Sequence, residues 1–221
     1  MTRFTIVDDH ALLADSLAFA LRSQGHVADV VPVTDLEKIQ SRVVADPPDV
    51  VLLDLQLGEA GHALQLIHPL TATGTKVLVV TGVTDRVELA ATLEAGATAY
   101  VGKAEPVDVL LRTALQVAAG SPVLSPEHRL ELLRELRRHR EDERSTRAPF
   151  DRLSAREKQV LAALCVGRSV TQIAGDWVVS VPTVRTQVRA ILTKLDAGSQ
   201  LEAVAQAHRS GWFVPQQCRA T

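Results

Sequence analysis

Two kinds of apolar spacing alternate over roughly the first 120 residues. Short runs with little polar interruption, at residues 4–7, 27–31, 49–54, 76–81 and 98–101, are the pattern of strands buried on both faces. Between them, residues 11–24, 35–45, 62–72, 85–95 and 106–119 carry apolar side chains three and four apart, as helices do when one stripe packs on a sheet. Gly25, Gly74 and Gly96 stand where helices must stop, and Pro106 where one starts. Short connections between alternating strands and helices predict a doubly wound α/β domain over residues 1–122. Such a domain places its ligand site at the carboxyl ends of the central strands.

The pattern then changes. Ser125-Pro126-Glu127 reads as a serine N-cap with proline at the first helical position, and the highly charged stretch that follows, to Arg147, predicts a helical linker over residues 123–148. Leu130, Leu132, Leu133 and Leu136 give it one narrow apolar stripe, which leaves open docking on a domain, weak pairing with a second chain, or a solvated spacer. Residues 149–221 are wholly helical in pattern. Ser154-Ala155-Arg156-Glu157 has capping-box spacing and opens a helix through Val166, a short helix covers 170–177, Ser180 caps a third over 181–195, and a fourth runs over 199–209 before Gly211.

A helix, a turn and a second helix of this length suit a helix-turn-helix that reads DNA. With Arg185 at zero and about 100° per residue, Pro182, Thr186, Arg189 and Thr193 fall between zero and about 100°, while Val184, Val188, Ile191 and Leu195 cluster near 240–300°. One arc is core and the other polar. Arg185 and Arg189, one turn apart on the polar arc, can reach guanine edges in a major groove, with Thr186 and Thr193 offering smaller contacts. Gln187 and Lys194, about 180–200° round, are placed for phosphates, which position without specifying.

Charge sharpens the division. Residues 1–122 hold 8 Lys/Arg against 15 Asp/Glu, whereas residues 123–221 hold 16 against 11, so an acidic module precedes a basic one that could bind a polyanion. Aromatics are only 3% of the chain, so the core must come from Ala, Val, Leu and Ile. No apolar run approaches the roughly 18 residues that would span a bilayer, which excludes an integral membrane protein of the helical kind. The first residues reach Asp8-Asp9 before a signal-peptide core could form, so the expected compartment is the cytoplasm. Cys165 and Cys218 lie far apart without metal-ligand spacing, and read as free thiols.

The candidate chemistry sits at strand ends. Asp8 and Asp9 follow the first strand and Asp54 the third; three carboxylates brought together repel unless a cation joins them, and hard oxygen ligands suit Mg²⁺. Thr81 ends the fourth strand and Lys103 follows the fifth. A hydroxyl and an ammonium aimed at the same cleft are what a transferred phosphoryl group needs, and a carboxylate can be its acceptor.

Val7-Asp8-Asp9-His10, Leu52-Leu53-Asp54-Leu55, Val80-Thr81-Gly82 and Tyr100-Val101-Gly102-Lys103 resemble the marks of response-regulator receiver domains, over roughly residues 3–120. The resemblance implies a flavodoxin-like sheet in which Asp54 accepts phosphate from a histidine kinase. It implies further that Asp8, Asp9, Asp54 and the Gln56 backbone carbonyl hold Mg²⁺, that Thr81 and Lys103 contact the phosphoryl group, and that Thr81 and Tyr100 form the switch. One departure stands out: Leu57-Gly58-Glu59-Ala60-Gly61 lacks the proline usual four residues after the acceptor, which bears on loop conformation, phosphate lifetime and kinase docking.

Leu153-Ser154-Ala155-Arg156-Glu157, Gln172-Ile173-Ala174, Ser180-Val181-Pro182-Thr183-Val184-Arg185 and Ile191-Leu192-Thr193-Lys194-Leu195 resemble the LuxR-type DNA-binding domain, over about residues 150–212. Joined behind a receiver, this resembles a NarL/FixJ-type two-component regulator. The resemblance implies base reading by Arg185, Thr186 and Arg189, phosphate contacts from Thr183, Gln187 and Lys194, and a homodimer on double-stranded DNA when active. Gln187, Asp196 and Gln200 depart from the family's usual His, Gly and Arg. Two rivals remain: an orphan regulator whose receiver acts unphosphorylated, against which every phosphorylation residue is present, and a Mg²⁺-dependent phosphatase. The phosphatase wants an acid two residues after its nucleophile, where this chain has Gln56.

Overall fold

A computed structural model describes residues 1–213; Cys218 lies outside the described residues. The chain divides into two compact units, residues 1–138 and 139–221. In the first, strands β1 (Arg3–Val7), β2 (Val27–Val30), β3 (Val50–Leu53), β4 (Lys76–Thr81) and β5 (Ala99–Gly102) form one sheet of order β2-β1-β3-β4-β5. Each neighbouring pair is parallel. The order reverses beside β1 and β3, which puts the ends of those two strands at the topological switch point.

Helices α1 (Ala11–Ser23), α2 (Leu36–Ala45), α3 (Leu64–Thr71), α4 (Arg86–Glu94) and α5 (Val107–Ala118) cover both faces. One apolar cluster joins Val51, Leu53, Val77 and Val79 to α2, α3 and α4; the other joins Ile6, Leu52, Leu78 and Val80 to α1 and α5. Valine, leucine, isoleucine and alanine build nearly all of both clusters, as a sheet buried on both sides requires. Several expected ends shift by a residue or two because caps, which start or stop helices, occupy them. Asp35 and Asp85 each accept a backbone N–H of the first turn of α2 and α4 and so precede those helices, and Gly25, Gly74 and Gly96 take positive φ where α1, α3 and α4 end.

The segment 123–148 is not a spacer separate from both units. Helix α6 runs Pro126–Asp151, and the division at residue 138 falls inside it. Leu132 and Leu136 are buried in the first unit's core, which accounts for the leucine stripe, while Leu130 points away and is exposed. The expected boundary at 148/149 also lies within this helix.

In the second unit, α7 (Ala155–Cys165), α8 (Val170–Asp176), α9 (Val181–Leu195) and α10 (Gln200–Arg209) enclose a core of Leu153, Val160, Leu161, Ile173, Val184, Ile191, Leu195 and Ala203, with Phe150. Ser154 and Glu157 form the expected capping box, and Ser169 with Gln172 forms a second at α8. Asp196 closes α9 at φ +51°, a left-handed position that glycine fills best and aspartate tolerates, which explains the departure there. Cys165 is half-buried against the core, and burial pushes its thiol up to about 11.

Candidate functional site

The parallel strands deliver their last residues to one edge of the sheet. Asp8 and Asp9 leave β1, Asp54 leaves β3, Thr81 ends β4, and Lys103 follows β5. Backbone bonds fix these ends: the Asp54 N–H donates to the Val7 carbonyl (2.9 Å) and the Lys103 N–H to the Thr81 carbonyl (2.9 Å). Asp8, Asp54 and Thr81 are buried. The Lys103 ammonium lies 2.7 Å from Asp54 Oδ2 and 2.8 Å from Asp8 Oδ1, joining the carboxylates of two strands.

Burial pushes the Asp54 carboxyl above its ordinary value, and hydrogen bonds from Lys103 and from the Gln56 N–H (3.2 Å) counter only part of that. Burial works to lower Lys103, but its bonds to Asp54 and Asp8 outweigh it and hold the ammonium charged. One carboxylate-rich pocket thus keeps a single fixed cation beside a carboxylate that burial makes costly to charge.

Ligand atoms of Asp8, Asp9, His10 and Asp54 all lie within 4.8 Å of one another. Three carboxylates at this spacing fit a hard divalent cation. His10 closes the Val7-Asp8-Asp9-His10 motif, which by itself gives it no role in the site. Its Nδ1 is 2.7 Å from Asp9 Oδ1 and 3.3 Å from Lys103 Nζ, and its backbone N–H donates to Asp8 Oδ1 (2.8 Å).

The proline-free loop after Asp54 is held by its own backbone. The Leu57 N–H donates to the Gly61 carbonyl (2.9 Å), the Ala63 N–H to the Leu55 carbonyl (2.8 Å), and Gly58–Ala60 make a single 3-10 turn. Gly58 sits at φ +54°, where a side chain would strain the backbone, and a Cβ there would stand 3.2 Å from Asp9 Oδ2 and crowd that carboxylate. Across the cleft, the Thr81 hydroxyl accepts the Val83 N–H (3.1 Å). Tyr100 is half-buried, and its hydroxyl lies 3.1 Å from His128 Nε2 on α6.

In the second unit, Arg185, Thr186 and Arg189 lie exposed along α9, opposite the buried Val184, Ile191 and Leu195. Thr183 is exposed and pairs its hydroxyl with Ser180 (2.7 Å), and Gln187 is half-buried. Lys194, placed by the wheel for a DNA phosphate, has a partner within the domain. Its ammonium lies 2.7 Å and 3.0 Å from the two oxygens of Glu157, which is only 5% exposed, so it ties α9 to α7. The wheel gives the direction of a side chain and not the partner waiting there.

The family model "Response regulator receiver domain" matches residues 4–115, and "Bacterial regulatory proteins, luxR family" matches residues 151–207. The chain belongs to the response regulators of the NarL/FixJ type, a receiver joined to a LuxR-type DNA-binding domain. It is 31% identical over 208 residues to the oxygen regulatory protein NreC of Staphylococcus haemolyticus (strain JCSC1435), covering 93% of this chain and 96% of that protein. It is 26% identical over 212 residues to the transcriptional regulatory protein LiaR of Bacillus subtilis (strain 168), covering 95% and 98%. A solved LuxR-family response regulator from Aurantimonas sp. SI85-9A1 shares the fold, with a TM-score of 0.50 at 22% identity, covering 61% of this chain and 97% of that one. Among the described residues no helix is long and apolar enough to cross a membrane.

Proposed function

We propose that Asp54 accepts a phosphoryl group from a histidine kinase and that this event governs DNA binding by α9. The observation that carries the reading is the Lys103 ammonium at 2.7 Å from a buried Asp54, with Asp8 and Asp9 close by. An Asp54 oxygen attacks phosphorus, the bond from phosphorus to the donor imidazole breaks, and Lys103 pairs with a phosphoryl oxygen as negative charge accumulates there. The Thr81 hydroxyl donates to another phosphoryl oxygen. Asp8, Asp9, Asp54 and the Gln56 carbonyl are the residues that would hold Mg²⁺, which when bound neutralises charge on the transferred group. Dephosphorylation is hydrolysis at the same residue, and the protein has no other turnover.

On DNA, Arg185, Thr186 and Arg189 read bases, Thr183 and Gln187 contact phosphates, and Lys194 supports the helix through Glu157. The active form is a homodimer, and the setting is the cytoplasm. Acetyl phosphate with Mg²⁺ should add one phosphate to the wild type and none to Asp54→Asn by intact-mass spectrometry. Equal labelling of the variant would move the acceptor elsewhere, and no labelling of the wild type by any donor would favour a regulator that works unphosphorylated.

A further inference from the structure

The first turns of α6 are fastened to the receiver along one patch. Leu132 and Leu136 are buried in the apolar cluster that includes Ala91, Ala95 and half-buried Tyr100. The Arg129 guanidinium donates to the carbonyls of Ala97 (3.1 Å) and Thr98 (2.6 Å), the residues that lead into β5. Arg86, at the start of α4, reaches Glu131 (3.1 Å) and Glu135 (2.9 Å), one helical turn apart. His128 Nε2 meets the Tyr100 hydroxyl at 3.1 Å. These contacts converge on α4 and on β5.

The far end of β5 belongs to the carboxylate site. Tyr100 lies opposite Val79 and Gly102 opposite Thr81 in the β4–β5 ladder, and Lys103 follows at once. A phosphoryl group on Asp54 must take Lys103 away from Asp54 Oδ2 and rearrange its neighbourhood with Thr81. The strand that α6 grips is therefore the strand whose end phosphorylation reorganises.

We propose that residues 126–138 form a latch on the α4–β5 face and that His128 is the positioning residue coupling the latch to the site through Tyr100. The inference rests on the Asp54 reading above. The docked helix holds Tyr100 in the orientation seen here, and phosphorylation withdraws Tyr100 from His128. By reciprocity of linked equilibria, weakening the latch favours the phosphorylated arrangement to the same degree. One neutral hydrogen bond corresponds to roughly a two- to tenfold change in an equilibrium, while two buried leucines hold the helix independently of it. The expected change is therefore more frequent local opening of 126–138 and not detachment.

Hydrogen–deuterium exchange of the full chain tests this, with the same samples weighed for phosphate. Acetyl phosphate with Mg²⁺ should raise exchange over residues 126–138 roughly two- to tenfold, with α2 as the unchanged reference. His128→Phe, which keeps a ring but loses the bond, should show the raised exchange without phosphate and little further rise with it. His128→Gln, which restores a polar partner, should return toward wild type; a purely packing role would favour Phe over Gln. Labelled wild type with unchanged exchange over 126–138 would overturn the coupling. Identical exchange in unphosphorylated wild type and His128→Phe would overturn the role of His128. Absence of label on Asp54 would instead sink the phosphoacceptor reading, and the comparison of the unphosphorylated chains would still decide the latch.

Discussion

Replacing Lys194 separates a structural role from a DNA-contacting one. The lysine bridges both oxygens of Glu157, a carboxylate 5% exposed that also accepts the Ser154 N–H at 2.6 Å as part of the α7 cap. Truncation to alanine leaves a buried charge with only the neutral groups of Ser154 beside it. Breaking a fully buried pair costs about 3–5 kcal/mol. The Lys194 side chain is 37% exposed, so solvent screens part of the attraction and about 2 kcal/mol is expected. For a unit of this size that lowers the melting temperature by roughly 8–16 °C. Both tryptophans, Trp177 and Trp212, lie in the second unit, so their fluorescence follows its unfolding in the intact chain.

In a Glu157→Gln background the same truncation should cost under about 1 kcal/mol, because no charge is stranded. The Lys194 bond holds the Glu157 carboxyl below its ordinary 4.5. A lowered carboxylate stabilises the fold above its unfolded value and ceases to as pH falls through the folded one. The gap between wild type and Lys194→Ala should accordingly be full at neutral pH and close only below about pH 4. A phosphate contact would behave otherwise, leaving stability unchanged and lowering the slope of log affinity against log salt by about one. That outcome would refute the ion-pair reasoning.

Arg185→Ala and Arg189→Ala should each cost roughly 1–3 kcal/mol on a cognate duplex and less on a scrambled one, in titrations at several salt concentrations. Val178 is 93% exposed at φ +53°, in the turn before α9, so Val178→Gly should raise stability by about 0.5–1 kcal/mol in urea unfolding. Gly58→Ala should weaken Mg²⁺-dependent labelling of Asp54 several-fold by crowding Asp9, read as a higher Mg²⁺ requirement in a labelling titration.

The sheet and the carboxylate site were legible because their signals are local. Each strand is a short apolar run, and each functional residue lies within two positions of a strand end, so naming the strands located Asp8, Asp9, Asp54, Thr81 and Lys103 together. The starts of α2 and α4 moved by one residue because Asp35 and Asp85 cap them, a matter of a few atoms. What the pattern could not give were pairings between distant segments. Glu157 and Lys194 are 37 residues apart, and Tyr100 and His128 are 28 apart. The leucine stripe of α6 showed that something would be buried without showing against what. The loop after Asp54 posed a similar problem, since composition does not encode the backbone bonds that close it.

The central claim is that phosphate on Asp54 controls what α9 does on DNA. It is tested most directly by titrating the full chain against a duplex of its own upstream region at fixed salt, before and after Mg²⁺ and acetyl phosphate, with the label counted by mass. Wild type should bind at least about fivefold tighter once labelled, a coupling of about 1 kcal/mol, and Asp54→Asn should not respond. Unchanged affinity in fully labelled wild type, or an equal gain by Asp54→Asn, would contradict it.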